Sequence, residues 1–278
     1  MSAPLDRITP ELIREAASLI RDGHVWDLAV DLDRNLLPPV DSEFGRELSV
    51  VSLGSSVAWQ RVNRSGPASF HVDAISGAIH QGTHIDGLAH ALYEGRIHGG
   101  ATEQALTADG WSVHGAETIP PIVGRGVLLD LANAGGSPVE GSHEITPDEL
   151  TWAATRQGVE FRGSDVVLVR TGKMDTLRVD REHFLDQQPG IGLDAALWLV
   201  ERGMAVYGSD TGGTEPQPVA DWTRTVHVAL LVERGIHLLE WLDLRALAAS
   251  GRSEFLFVAI PLKIRGATGS WIRPIAVT

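Results

Sequence analysis

Three histidines and one aspartate lie close together in this sequence, at His80, His84, Asp86 and His90. Neutral imidazole and carboxylate groups are the ligands that zinc and similar divalent ions prefer in proteins. The window 71–98 holds five of the eleven histidines of the chain, whereas uniform scatter would place roughly one there. The residue types and their density therefore predict a metal site.

The spacing indicates how these side chains can reach one ion. The small apolar residues 74–79 predict a buried strand that ends at His80, and Gly82 then favours a turn because glycine accepts a positive φ. Alternate residues of an extended chain share a face, so His84 and Asp86 can bind the same ion. The turn at Gly82 can fold His80 back toward it.

A further histidine, His90, follows in an apolar stretch that predicts the start of a helix. There it would serve as an additional ligand or as a proton carrier near neutral pH. The helical zinc-protease pattern is excluded, because that pattern requires Glu where Gln81 stands. His71 and His98 are interpreted mainly as ordinary histidines, and the alternative is that both line the site, where His98 would contact a substrate.

A histidine and a glutamate stand in apolar sequence nearer the C-terminus, at His227 and Glu240. Burying an unpaired carboxylate is expensive, so a buried Glu240 would need a cation or a strong hydrogen-bond donor. A metal site would supply that cation. The alternative is an exposed glutamate on an edge strand.

Two loops that follow predicted strands could contact a substrate. The first, Gly208–Gly213, carries Ser209 and Asp210, and its hydroxyl and backbone N–H groups could bind a ligand, although an ordinary turn has the same composition. The second loop follows Arg170 and includes Lys173, which could place a cation near an anion. A solvated strand end is the alternative there.

Composition excludes several classes of protein. The chain has no cysteine, so a thiol nucleophile, thiolate ligands and disulfides are ruled out. A formal net charge of −13 argues against a nucleic-acid partner. The N-terminal residues do not resemble a signal peptide, and no apolar run approaches the length of a membrane span. We therefore expect a cytoplasmic protein that acts on a small molecule, with no membrane or nucleic-acid partner.

The predicted elements indicate an α/β fold with a largely buried mixed sheet. Helices are predicted after Thr9 and Thr146, where a capping threonine precedes proline, and over 193–202. Strands are predicted at 24–31, 126–131, 165–170, 204–208, 236–240 and 254–261. We expect one domain over residues 1–278, in which residues 1–66 form an N-terminal helix and a long excursion (Arg34–Gly66).

The motif His80-x-Gly-Thr-His84-x-Asp86-x-x-x-His90 resembles the signature of the metal-dependent cyclase-like hydrolases, which include kynurenine formamidase and isatin hydrolase. Further landmarks in the same order cover roughly residues 70–275. They are Asp165-Val-Val-Leu-Val-Arg-Thr-Gly172, Gly208-Ser209-Asp210, His227-x-x-Leu-Leu, Glu240-x-Leu-Asp-Leu and Pro261-Leu. One departure is Gly87-Leu88, where formamidases commonly have Ala-Pro, and this chain is also longer on its N-terminal side, as in the longer-chain branch of the family.

The resemblance implies a compact swivelling β/β/α domain, a homodimer or homotetramer, and one or two divalent ions, usually zinc or manganese. It also implies roles for individual residues. These are His80, His84 and Asp86 as ligands of the first ion, His90 as the acid–base residue, and His227 and Glu240 as ligands that complete a second metal site.

The predicted function is metal-dependent hydrolysis of a C–N bond in a small cyclic amide, imide or formamide. Water activated by the ion would attack the carbonyl carbon, and His90 would carry the proton. The alternatives are a cyclase, dehydratase or lactone hydrolase of the same family, a non-haem iron oxygenase with a two-histidine, one-carboxylate triad, and a non-catalytic protein stapled by metal. Tryptophans in loop-like sequence, at Trp59, Trp111 and Trp222, could wall a pocket for a ring.

Overall fold

A nine-stranded mixed sheet forms the centre of the computed structural model, which describes residues 4–38, 52–53, 75–132 and 137–278. The strands, in spatial order, are β1 (Val25–Asp27), β15 (Ile275–Val277), β13 (Glu254–Ala259), β7 (Ile122–Asp130), β9 (Val166–Arg170), β11 (Val206–Ser209), β12 (His237–Glu240), β4 (His84–Asp86) and β14 (Gly269–Trp271). The four central strands β7, β9, β11 and β12 run parallel, and the outer pairs are antiparallel. This arrangement confirms the predicted α/β class and mixed sheet.

The remaining described elements are short. Three two-stranded sheets pair β2 (Ser52–Leu53) with β3 (Ile75–Ser76), β5 (Leu106–Thr107) with β6 (Gly110–Trp111), and β8 (Glu144–Ile145) with β10 (Gly190–Ile191). The α-helices are α1 (Pro10–Ala17), α2 (Pro147–Gln157), α3 (Leu193–Glu201) and α4 (Arg245–Ala249), and Val228–Arg234 forms a π-helix. Among the described residues, every helix is too short or too polar to cross a bilayer.

Three of the helices begin where the sequence predicts. Thr9 caps α1, with proline at the first helical position, and its side chain accepts a hydrogen bond from the backbone N–H of Leu12. Thr146 caps α2 and forms a capping box with Glu149. The third predicted helix, α3, begins at Leu193 as expected.

The core lies on both faces of the central strands. One cluster fills the space between the sheet and α2, α3 and the π-helix, and includes Leu129, Val169 and Leu230. The other lies on the opposite face and includes Leu128 and Phe255. Parallel strands covered on both faces are apolar at nearly every position, which is why β7 and β9 consist of almost unbroken runs of buried residues.

Two sequence expectations near the candidate site are wrong. The strand before His80 is limited to β3, and Ile75 is 47% exposed, because β3 pairs with a two-residue strand outside the large sheet. His90 lies in a turn and not in a helix, because the chain reverses at Glu94 and Gly95, both with positive φ. His71, Trp59 and most of the predicted Arg34–Gly66 excursion lie outside the described residues.

The segment Thr214–Glu215 lies directly against Gly190. A Cβ atom at Gly190 would meet the main chain of Glu215 and lie 2.5 Å from the carbonyl oxygen of Thr214. We expect Gly190→Ala to destabilise the fold by about 1–3 kcal/mol, because the contacting atoms belong to the backbone and cannot rotate away. Gly163→Ala is the matched control, since a Cβ there has no atom within 4 Å. Urea denaturation measures both variants, and equal stability would contradict this packing.

Candidate metal centre

The predicted metal-binding residues meet at the carboxyl ends of the parallel strands. His84 and Asp86 occupy β4, and Glu240 ends β12 directly opposite His84 in the antiparallel pair. Directly paired residues project from the same face of a sheet, so His84 and Glu240 face the same space. His227 immediately precedes the π-helix that leads into β12. Ligand sites of α/β sheets commonly lie at this edge.

The carboxylate of Asp86 lies at the centre of the group. Its Oδ1 atom is 2.8 Å from Nδ1 of His80, 3.2 Å from Nε2 of His84 and 4.0 Å from Nε2 of His90. Its Oδ2 atom is 3.6 Å from Nε2 of His227. Four imidazoles thus surround one carboxylate.

Glu240 lies in the same space. Its Oε2 atom is 3.5 Å from Nε2 of His84, and its Oε1 atom is 3.4 Å from Nε2 of His227. Thr214 donates a hydrogen bond of 2.8 Å to Oε1. Strand β12 is an interior strand, so the alternative of an exposed glutamate on an edge strand is wrong.

The donor set fits a divalent ion. The ligand atoms of His80, His84 and Asp86 all lie within 4.8 Å of one another, and so do those of Asp86, His90 and His227. Nε2 of His84 and Oδ2 of Asp86 are buried without a hydrogen-bond partner in the part of the chain that the structure describes. Buried polar atoms are nearly always satisfied, so these two unpartnered atoms, each with a lone pair, fit the ligand set of a cation.

Outer hydrogen bonds orient the two most enclosed imidazoles. Nδ1 of His84 donates to the Gly82 carbonyl at 2.9 Å, and Nδ1 of His227 donates to Glu215 at 2.6 Å. In both rings Nε2 is therefore the atom with the free lone pair, as metal-bound histidines require. Gly82 has φ of +73°, which confirms the predicted turn.

Sequence reasoning missed Glu215. This residue follows Gly212-Gly-Thr and precedes proline, which is ordinary loop sequence, and its partner His227 is twelve residues away. No local pattern distinguishes it. The preceding residue, Thr214, which donates a hydrogen bond to Glu240, was missed for the same reason.

The pKa values reflect competition between burial and charge. Burial alone would lower the pKa values of His84 and His227, but the neighbouring carboxylates outweigh it and raise both. Burial, together with the charge of Asp86, raises the pKa of Glu240 to about 7. The surrounding histidines hold the pKa of Asp86 well below its ordinary value despite burial. This cluster of histidines and carboxylates therefore attracts positive charge.

His90 lies on the open side of the centre. Its ring stacks on that of His80, with centroids 3.9 Å apart and planes at 25°, and its side chain is 31% exposed. Burial against the other histidines lowers its pKa to about 3, partly offset by Asp86. His90 is therefore neutral near pH 7.

The three predicted substrate contacts lie in different places. The hydroxyl of Ser209 hydrogen-bonds to that of Thr211, and both oxygens of Asp210 accept hydrogen bonds from the Thr171–Gly172 loop. His98 donates to the Val232 carbonyl and contacts His114, with ring centroids 5.6 Å apart. The structure brings none of these three into the donor set around Asp86 among the described residues.

The other candidate residues either contact other protein groups or lie outside the donor set around Asp86. Arg170 pairs with Asp130 at 3.0 Å and with Asp175 at 2.7 Å, and Lys173 lies over the ring of Phe184. Trp111 is buried in β6 and packs with Ala89 and Ile97, so it walls no open pocket. Trp222 is 72% exposed in the loop that precedes His227.

Comparison with known proteins gives a consistent result. The Cyclase family model, described as "Putative cyclase", matches residues 19–216. Kynurenine formamidase of Bacillus cereus is 25% identical over 250 residues, which cover 90% of this chain and 95% of that protein. A crystal structure described as a novel cyclase has a TM-score of 0.88 at 29% identity, with 99% and 94% coverage of this chain and that one. Isatin hydrolase A from Ralstonia solanacearum shares the fold, with a TM-score of 0.70 at 24% identity and coverage of 96% and 97%.

We expect the metal-free protein to lose stability as the pH rises above 6.5, the ordinary pKa of histidine. Groups whose pKa is raised on folding stabilise the fold while protonated, and this contribution is lost as the pH rises through the raised value. His84 and His227 act in this direction above pH 6.5, whereas the contribution of Glu240, whose pKa is raised from 4.5 to about 7, is lost between these two values. Added Zn²⁺ should abolish the loss, because the ion replaces the protons.

The measurement is the midpoint of thermal unfolding between pH 6.5 and about pH 8, with chelator and with Zn²⁺. A midpoint that is constant with pH in chelator would contradict the assigned charge balance.

Proposed function

The chain belongs to the Cyclase family, and we propose on this basis that it is a divalent-metal-dependent hydrolase that cleaves a C–N bond in a small cyclic amide, imide or formamide. The observation that carries the proposal is the convergence of His80, His84, Asp86, His227 and Glu240 on one buried space with two unsatisfied donor atoms. Kynurenine formamidase and isatin hydrolase are the names of relatives that share this family or fold.

The proposed ligands fall into two overlapping sets. His80, His84 and Asp86 would hold a first ion, and Asp86 would share a second with His227 and Glu240. An ion held there would lower the pKa of a water molecule and polarise a carbonyl group. Nε2 of His84 lies 3.2 Å from the carboxylate of Asp86 and 3.5 Å from that of Glu240.

We assign His90 to proton transfer. Its Nε2 atom lies 4.0 Å from Asp86, at the border of the donor set, and its ring is the most exposed of the four around Asp86. In hydrolysis a C–O bond forms at the carbonyl carbon and the C–N bond breaks. His90 would accept the proton that the attacking water loses and deliver it to the leaving nitrogen.

The rival functions predict different surroundings for the histidines of the centre. A non-haem iron oxygenase would use two histidines and one carboxylate and would leave His80 idle, yet Nδ1 of His80 lies 2.8 Å from Asp86. A purely structural metal site would be closed on all sides. Here the side chains of His80, His90 and His227 are 27%, 31% and 19% exposed, which leaves an approach for a ligand.

Further properties belong to the same proposal. The ion is zinc or manganese, the protein is a cytoplasmic homodimer or homotetramer, and residues 1–278 form one domain in which residues 1–66 are an N-terminal helix and an excursion. Lactone hydrolysis and ring closure are the alternative reactions at the same site. Ser209, Asp210 and His98 stay candidate substrate contacts, although each already hydrogen-bonds within the protein.

A substrate panel tests the reaction class. Protein stripped of metal and then supplied with Zn²⁺ or Mn²⁺ should hydrolyse at least one member of a set comprising N-formylkynurenine, isatin and cyclic imides. Activity should disappear in chelator and return with metal. Turnover of aryl lactones alone would refute C–N cleavage, and metal-independent turnover would refute the proposed mechanism.

His90→Asn is expected to keep the metal and lose most of the activity. General acid–base catalysis contributes about 10²–10⁴-fold, so kcat should fall by that factor while the metal content stays at the wild-type value. His183→Asn is the matched control, because His183 is exposed and pairs with Asp180. Elemental analysis and steady-state kinetics on the same preparations give both quantities. If His90→Asn binds no metal, His90 is a ligand and the proton carrier is another group.

A further inference from the structure

Thr268 contacts the candidate metal centre from a part of the chain that lies beyond the residues matched by the family model. Its Oγ1 atom is 2.9 Å from Nε2 of His80, and its carbonyl oxygen accepts the backbone N–H of Gly87 at 2.7 Å. One residue therefore contacts the chain on both sides of Asp86. Its hydroxyl reaches the ring of His80, and its carbonyl reaches the peptide that follows Asp86.

His80 is oriented differently from the other two ligand histidines. His84 and His227 turn Nε2 toward the carboxylates and use Nδ1 for an outer hydrogen bond. His80 does the reverse, because its Nδ1 atom is 2.8 Å from Asp86 and its Nε2 atom faces Thr268. The ring of His80 is thus inverted relative to the other two.

This inversion sets a requirement on the protons. A neutral imidazole has one N–H and one lone pair, so a lone pair on Nδ1 requires the hydrogen on Nε2. For His84 and His227 the outer partner is a carbonyl or a carboxylate, which can only accept. For His80 the outer partner is a hydroxyl, whose oxygen accepts the Nε2–H when Nδ1 faces a cation.

The surrounding backbone leaves the ring little freedom to move. A Cβ atom at Gly269 would lie 2.7 Å from Cε1 of His80, and one at Gly87 would lie 2.8 Å from the carbonyl oxygen of Thr268. The chain at 268–269 therefore packs directly against the ring. A movement of the side chain that turned Nε2 toward Asp86 would have to displace this backbone.

We propose that Thr268 is a positioning residue whose hydroxyl accepts the Nε2–H of His80, so that His80 binds a divalent ion through Nδ1 while His84 and His227 bind through Nε2. The inference rests on the proposed metal site and adds the residue that determines how one ligand is presented. Outer partners of this kind typically change metal affinity by about 10–100-fold when they are removed.

Three variants of the full chain test this role. Thr268→Val keeps the shape and removes the hydroxyl, and Thr268→Ser restores the hydroxyl. Ser270→Ala is the matched control, because Ser270 lies two residues away and its hydroxyl bonds to the backbone of Leu262 and Trp271 instead of to a ligand. Zn²⁺ affinity, measured by competition with a chelating dye, should fall about 10–100-fold in Thr268→Val and stay near wild type in the other two.

A second measurement needs no variant. Long-range ¹H–¹⁵N correlation spectra of the Zn²⁺-loaded wild type should place the proton of His80 on Nε2 and those of His84 and His227 on Nδ1. Zn²⁺ bound to Nε2 of His80, unchanged Zn²⁺ affinity in folded Thr268→Val, or no Zn²⁺ binding by the wild type would each overturn the inference. If Thr268→Val does not fold, the wild-type spectrum decides.

The outcome is separable from that of the proposed function. A wild type that shows the expected spectrum and Zn²⁺ affinity but hydrolyses no panel substrate would refute the reaction and leave the role of Thr268 intact. Full hydrolysis by the wild type, together with unchanged Zn²⁺ affinity in Thr268→Val, would refute the role of Thr268 and leave the proposed reaction intact.

Discussion

The carboxylate of Asp86 is fully buried, and a charge removed from water must be compensated by the groups around it. Glu240 and Glu215 are buried nearby, so three carboxylates share one region. Among the described residues, the ion-pair partners of all three are histidines. Neutral imidazoles cannot balance these charges, whereas a divalent ion can. In the metal-free protein the same excess of negative charge raises the pKa values of His84 and His227, and burial together with the charge of Asp86 raises that of Glu240.

The sheet supports the backbone that brings these buried charges together. The parallel strands are buried on both faces, and their carboxyl ends deliver polar loops to one edge. Asp210 joins two of these loops, since it accepts hydrogen bonds from Thr171 and Gly172 at the end of β9. Strand β4 then lies antiparallel beside β12, and His237 on β12 donates to the Asp86 carbonyl at 2.7 Å. The backbone that carries the ligands is therefore held from both sides.

The extent to which the site could be predicted follows from the range of the contacts. His84 and Asp86 are two residues apart on one strand, so the period of the strand brings them together. Glu240 could be predicted to need a cation because its apolar flanks imply burial. Thr268 lies 188 residues from His80 in the sequence, and Glu215 and Thr214 occupy ordinary loops. Their positions depend on tertiary pairing, which local patterns do not encode. The expected helix at His90 failed for a related reason, since the reversal at Glu94 is a loop feature that apolar periodicity does not detect.

The central claim is that one buried donor set, centred on Asp86, holds a divalent ion. Anomalous diffraction from crystals of protein purified without added metal tests it most directly, with data collected on both sides of the zinc and manganese absorption edges. The account predicts a peak in contact with Asp86, Nδ1 of His80 and Nε2 of His84. A catalytically active crystal preparation with no anomalous peak among these atoms would contradict it.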